Sequence, residues 1–191
     1  TNGKGSIVAY VSTVLREAGL RTGRYISPTL FSYRERIQID GENIGREDFA
    51  RLMTRIAETA AVMEQEGVPV PTAFEQETAA AFLYFLEKNC DLVVLETGLG
   101  GSTDATNIVK TTVLSIIGAI GMDHMAVLGN TLAEIAEKKA GIVKPGIPVV
   151  SAWQEPEAMG VIEEACRRNR SLLIHEDPQK LRVLEYGAET Q

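Results

Sequence analysis

Apolar residues recur along this chain at two spacings. Ile7, Val8, Val11, Val14 and Leu15 mark one face of a helix over 5–18, which Gly19 ends. Phe49, Leu52, Met53, Ile56 and Ala60 mark a second over 46–66. Thr72, with Glu75 three residues on, caps a third. Its body over 79–86 is apolar almost all round, which predicts burial. Further helices are expected over 132–140 and 155–168. Short apolar runs predict strands at 24–26, 91–95, 112–117, 147–150, 172–174 and 181–184. The unbroken run at 91–95 is the kind found in parallel strands covered on both faces. Ile37-Gln38-Ile39 alternates like a strand, and Asp40-Gly41 signals a turn. The alternation of strands and helices predicts an α/β fold, a mainly parallel sheet with helices on both faces.

Composition narrows the classes. The net charge of −7 disfavours a nucleic-acid surface, so anionic ligands must be met by locally placed cations and metal. Cys90 and Cys166 have neither metal nor redox spacing, which fits a reduced, cytoplasmic protein. No apolar run reaches membrane-spanning length, and the first residues do not form a signal peptide. Small-molecule substrates, no membrane or nucleic-acid partner and a monomer are expected.

The chemistry starts at Thr1-Asn2-Gly3-Lys4-Gly5-Ser6. Glycines let the backbone turn its N–H groups toward one anion, and the following helix aims its positive end there. Lys4 adds a charge for the outer phosphates of a nucleotide. The match to a Walker A loop is partial, because Gly5 holds the usual Ser/Thr slot and Ser6 follows it. Such a loop normally hangs from a buried strand, so a sequence that opens inside the loop reads as a fragment. Pro28 holds Ser27 extended, and the aromatic, arginine-rich loop to Arg36 has the look of a functional one. Glu96 ends one predicted parallel strand, and Asp123-His124 follows another, where open α/β sheets place ligands. Between them runs a glycine loop with Asp104, Thr106 and Asn107.

Taken together, these motifs resemble the folylpolyglutamate synthase/dihydrofolate synthase family of muramyl-ligase-like, ATP-dependent amide ligases. The resemblance rests on 1–6, Ser27-Pro28, 30–36, Phe74-Glu75, 96–101, 104–107, Asp123-His124 and 137–142, all in family order. Thr29 stands where the family usually has His, Ser102-Thr103 where it has Arg-Leu, and Thr97 where Val is common.

The resemblance implies the P-loop ATPase-like central domain of a muramyl-type ligase. Residues 1–191 would be part of it, with the C-terminal glutamate-side domain outside this sequence. It implies ATP-driven addition of L-glutamate to a folate or dihydropteroate through an acyl phosphate. Thr1, Asn2, Gly3, Lys4, Gly5 and Ser6 would hold ATP. Phe31, Tyr33, Arg34, Asp104 and Asn107 would meet substrate. One Mg²⁺ would sit with Ser27 and Glu96 and a second with His124. Lys4, Lys139 and His124 would be catalytic, with Lys139 carbamylated and Lys138 the neighbouring alternative. A regulatory P-loop ATPase and a ligase acting on a cell-wall precursor are the competing readings.

Overall fold

Two short parallel strands set the frame of the first part of the chain. β1 (Thr22–Tyr25) pairs with β4 (Leu92–Leu95) in parallel register, Tyr25 opposite Leu95. On its other side β1 pairs antiparallel with β2 (Ile37–Ile39), which turns through Asp40-Gly41 into β3 (Glu42–Asn43). The computed structural model describes residues 3–123 and 125–176. They form two units, 3–109 and 110–176. Thr1, Asn2, His124 and the strand expected at 181–184 lie outside the described residues.

In the first unit, α1 (Lys4–Glu17) lies along β1 and β4, and α2 (Arg46–Gln65) packs on α3 (Ala73–Glu87). The core joins Tyr25, Ile37, Ile39, Ile44, Leu52, Ala80, Ala81 and Phe85. Tyr25 is fully buried, and its hydroxyl meets Thr78 Oγ1 at 3.1 Å. Thr78 Oγ1 gives its single proton to the Phe74 carbonyl at 2.7 Å, so the tyrosine is the donor. Thr72 and Glu75 form the expected capping box on α3.

In the second unit, β5 (Ser115–Ile117), β6 (Val149–Ser151) and β7 (Leu173–His175) form a wholly parallel sheet. α5 (Leu132–Ala140) packs against α6 (Pro156–Asn169), and the core joins Ile117, Val143, Val149, Ile162 and Cys166. A short helix, α4 (Met125–Leu128), precedes α5. No described helix is long and apolar enough to cross a membrane.

The expected α/β class holds, with an antiparallel hairpin added at one edge. Several local expectations change; the strand expected at 112–117, for one, starts only at Ser115. β4 is not covered on both faces, and Val93 is 36% exposed, because β4 ends its four-stranded sheet. On α3 the buried stripe runs through Ala81, Tyr84 and Phe85, which turns Leu86 out to solvent. β1 begins two residues earlier than its apolar run, at Thr22-Gly23. A Cβ on Gly23 would stand 2.7 Å from the Phe85 ring, so only a bare backbone fits beneath α3. Gly23→Ala is therefore expected to destabilise the first unit by about 1–3 kcal/mol. Thermal denaturation checks this, and adding Phe85→Leu should recover part of the loss.

Candidate active site

Parallel pairing carries β1 and β4 to a common edge. The Glu96 amide donates to the Tyr25 carbonyl at 2.9 Å, so Ile26-Ser27 and Glu96 leave the sheet side by side. The Ser27 amide then donates to Glu96 Oε2 at 3.4 Å, and the Ser27-Pro28 peptide is cis. The start of α1 reaches the same place. A Cβ built on Gly5 would stand 4.0 Å from Glu96 Oε2. Lys4, Gly5, Ser27 and Glu96, predicted from separate motifs, thus meet in one unit.

The beginning of α1 suits an anion. Gly3 caps it in the left-handed region at φ 90° and brings no side chain of its own, and its first turn holds no acidic residue. Glu96 is the counterweight. It is 7% exposed, and burial pushes its carboxyl above the usual carboxylate range. The Ser27 amide and the charges of Lys4 and Arg24 pull the other way.

The loop after Ser27 folds on itself. Glu35 accepts the amides of Leu30, Phe31 and Ser32 at 2.9, 3.1 and 2.8 Å, which holds its carboxyl below the usual range. Ser32 and Glu35 form a capping box on a 3-10 turn, Tyr33–Arg36. Arg34 donates to the Ile44 carbonyl at 3.0 Å. Arg36 lies over the Tyr33 and Phe74 rings and pairs with buried Glu77 at 3.0 Å. Of the substrate residues expected here, Arg34 is tied down within the fold, whereas Phe31 is 94% exposed and Tyr33 largely so.

Asp104 serves its own loop. Oδ1 accepts from the Thr106 amide and hydroxyl at 3.0 and 2.6 Å, and Oδ2 accepts from the Leu99 amide at 2.9 Å. Gly98 lies beneath Phe74 and Asp104, where a Cβ would come within 2.7 Å of the ring. Asn107 closes the turn by donating its amide to the Asp104 carbonyl at 2.9 Å.

The second unit carries Asp123 and Lys139. Lys139 is buried in α5 at 8% exposure, whereas Lys138 is exposed. Motif reading missed Gln154, a buried amide bonded to Gly118, Ile120 and Ser151. Its partners lie more than thirty residues away or in an unremarkable strand, so no local signal marks it. Ser32-x-x-Glu35, by contrast, is a capping signature open to a sequence reading. Burial pushes the Cys90 and Cys166 thiols up, as befits inert side chains.

No family model matches the chain. It is 45% identical over 170 residues to the dihydrofolate synthase/folylpolyglutamate synthase of Bacillus subtilis, covering 88% of this chain and 39% of that protein. Among solved structures, a folylpolyglutamate synthase complex with AMPPCP and folate matches at a TM-score of 0.87 and 37% identity, over 92% of this chain and 43% of that one. The Mycobacterium tuberculosis folylpolyglutamate synthase complexed with ADP and AMPPCP matches at 0.87 and 34%, over 93% and 41%. The chain thus spans about two fifths of the length of the relatives it matches.

The Glu96 environment sets a pH dependence. The folded state holds this proton more tightly than the unfolded chain does. Its contribution to stability is therefore full below the ordinary carboxylate value and is lost as pH rises through the elevated folded value. Glu96→Gln removes that loss. The variant is expected to melt higher than the parent at pH 7 and to show a flatter melting profile from pH 4.5 upward. A lower melting temperature at pH 7 would mean that the ionised carboxylate holds the fold together.

Proposed function

Because the chain belongs to the folylpolyglutamate synthase/dihydrofolate synthase family, we propose that the whole protein is an ATP-dependent ligase joining L-glutamate to a folate or to dihydropteroate. The observation that carries this reading is the meeting of Lys4, Gly5, Ser27 and Glu96 at the start of a glycine-capped helix. In this reading the triphosphate lies on the amides of Gly3 to Ser6, and Lys4 neutralises its outer oxygens. The γ-phosphoryl group passes to the substrate carboxylate, releasing ADP and leaving an acyl phosphate. The glutamate amine then attacks the acyl carbon, loses a proton, and inorganic phosphate departs as the amide forms.

The residues suit magnesium. Glu96 and Ser27 offer oxygen donors, and magnesium needs only one or two protein carboxylates when phosphate and water complete its shell. When bound, the ion offsets charge on the phosphate oxygens. A second ion with His124 belongs to the same proposal.

Lys139 is the proposed carbamate. The ammonium first gives up a proton; the neutral amine nitrogen then adds to carbon dioxide and loses a second proton to solvent, so the cation becomes an anionic oxygen donor. Its burial beside exposed Lys138 supports choosing it over its neighbour. Exposed Phe31 and Tyr33 would meet the folate side.

Two assays at full natural length test this. Lys4→Ala is expected to lower ATP turnover by roughly 100-fold or more with the fold retained, since it removes one preorganised cation. Unchanged turnover would remove the phosphate-loop assignment. Lys139→Ala is expected to lose glutamate incorporation and regain part of it in added acetate, whereas Lys139→Arg stays inactive. Parental activity in Lys139→Arg would rule out the carbamate.

A further inference from the structure

The pairing of β5 with β6 ends at Ile117 and Ser151. One more rung follows, with the Ala152 amide donating to the Ile117 carbonyl at 2.9 Å. Past that point the chain after β6 turns away into Trp153, Gln154 and the start of α6. The segment after β5 nevertheless continues to find partners. Gln154 Nε2 donates to the Gly118 carbonyl at 3.0 Å, and the Ile120 amide donates to Gln154 Oε1 at 2.8 Å.

This pattern has a clear parallel in sheet geometry. In a parallel ladder one residue donates its amide to the carbonyl before a facing residue and accepts at its carbonyl from the amide after it. The Gln154 carboxamide does both around Ala119. It stands in for a missing strand residue and carries the ladder past its backbone end. A second Nε2 bond, 3.1 Å to Ser151 Oγ, fixes the rotamer, and Ser151 Oγ itself donates to the Ala152 carbonyl at 2.8 Å. The side chain is 4% exposed, so each bond is made away from water and each lost partner would be left unsatisfied.

The backbone so held runs on through Gly121 to Asp123, whose amide closes a tight turn on the Gly121 carbonyl at 2.8 Å. That turn stands at the carboxyl edge of a parallel sheet, where such sheets present ligand-binding groups.

We infer that Gln154 is a positioning residue: its carboxamide extends the β5 ladder and sets the 118–123 turn for binding of the second magnesium ion proposed above. The inference rests on the ligase reading above. Gln154 touches no reacting atom and acts through backbone.

The test uses the protein at full natural length with two variants, Gln154→Leu and Gln154→Glu. The leucine removes every bond. The glutamate keeps the acceptor for Ile120 when ionised, and regains the donor for Gly118 when protonated. Hydrogen exchange at the Ile120 amide is expected to quicken in Gln154→Leu, while exchange at β6 amides such as Val150 keeps its parental rate. Calorimetric titration of magnesium into the AMPPCP-saturated protein is expected to show about tenfold weaker binding, the scale usual for lost support of a metal site. AMPPCP affinity without metal is expected to stay at the parental value. Gln154→Glu is expected to approach parental magnesium affinity as pH falls and its carboxyl takes up a proton, measured relative to the parent at each pH. If Gln154→Leu does not fold, this pH-dependent recovery decides the matter. Parental Ile120 exchange, uniformly faster exchange across the unit, or parental magnesium affinity in the variants would overturn the inference. Failure of the parent to bind magnesium and AMPPCP would instead overturn the ligase reading on which it rests.

Discussion

A carboxylate buried at the end of a parallel strand pair is the constraint that organises the first unit. Glu96 gains little from its fold. It accepts one long bond from the Ser27 amide and otherwise faces the glycine at the head of α1, where an added Cβ would stand 4.0 Å away. Burying such a group without a strong partner raises the free energy of the charged form. The surroundings offset that cost only partly, through Lys4 and Arg24. A residue in this position suits a cation brought from outside better than it suits folding. Parallel register is what makes the arrangement possible, because it delivers Ser27 and Glu96 to the same edge as neighbours.

Net charge and local charge diverge here. The chain carries a formal charge of −7, yet the head of α1 has no acidic residue in its first turn and a lysine at its first position. A negative surface disfavours indiscriminate binding of polyanions.

The helices, the parallel pairing and the strand-end position of Glu96 were legible in the sequence, because each has a periodic or local signature. Thr72 and Glu75 announced α3 in the same way. The same logic applied to Ser32 and Glu35 reveals the 3-10 turn, although Pro28 and the run of aromatics and charges make that stretch look irregular. Tertiary causes were not legible. β1 includes Gly23, over which the Phe85 ring packs, and a glycine in sequence reads as a break rather than as a seat for a ring. Nor can spacing reveal Gln154, since a side chain that imitates a peptide group leaves no periodic trace.

The acidic residues divide by what their oxygens already do. Glu35, Glu75, Glu134 and Asp104 each accept amides from their own turns, at distances from 2.6 to 3.3 Å. Such bonds occupy acceptor sites, so these carboxylates shape their own turns even where they sit in glycine-rich or aromatic loops. Asp104 shows the consequence. Its place in a loop near the strand ends suggested contact with substrate, yet both of its oxygens are engaged in shaping that loop. Glu96 is the opposite case, buried, poorly bonded and beside a helix start. Unused acceptor capacity in a confined position, more than acidity or loop composition, is therefore the property that separates a candidate metal ligand from a residue that folds its own turn.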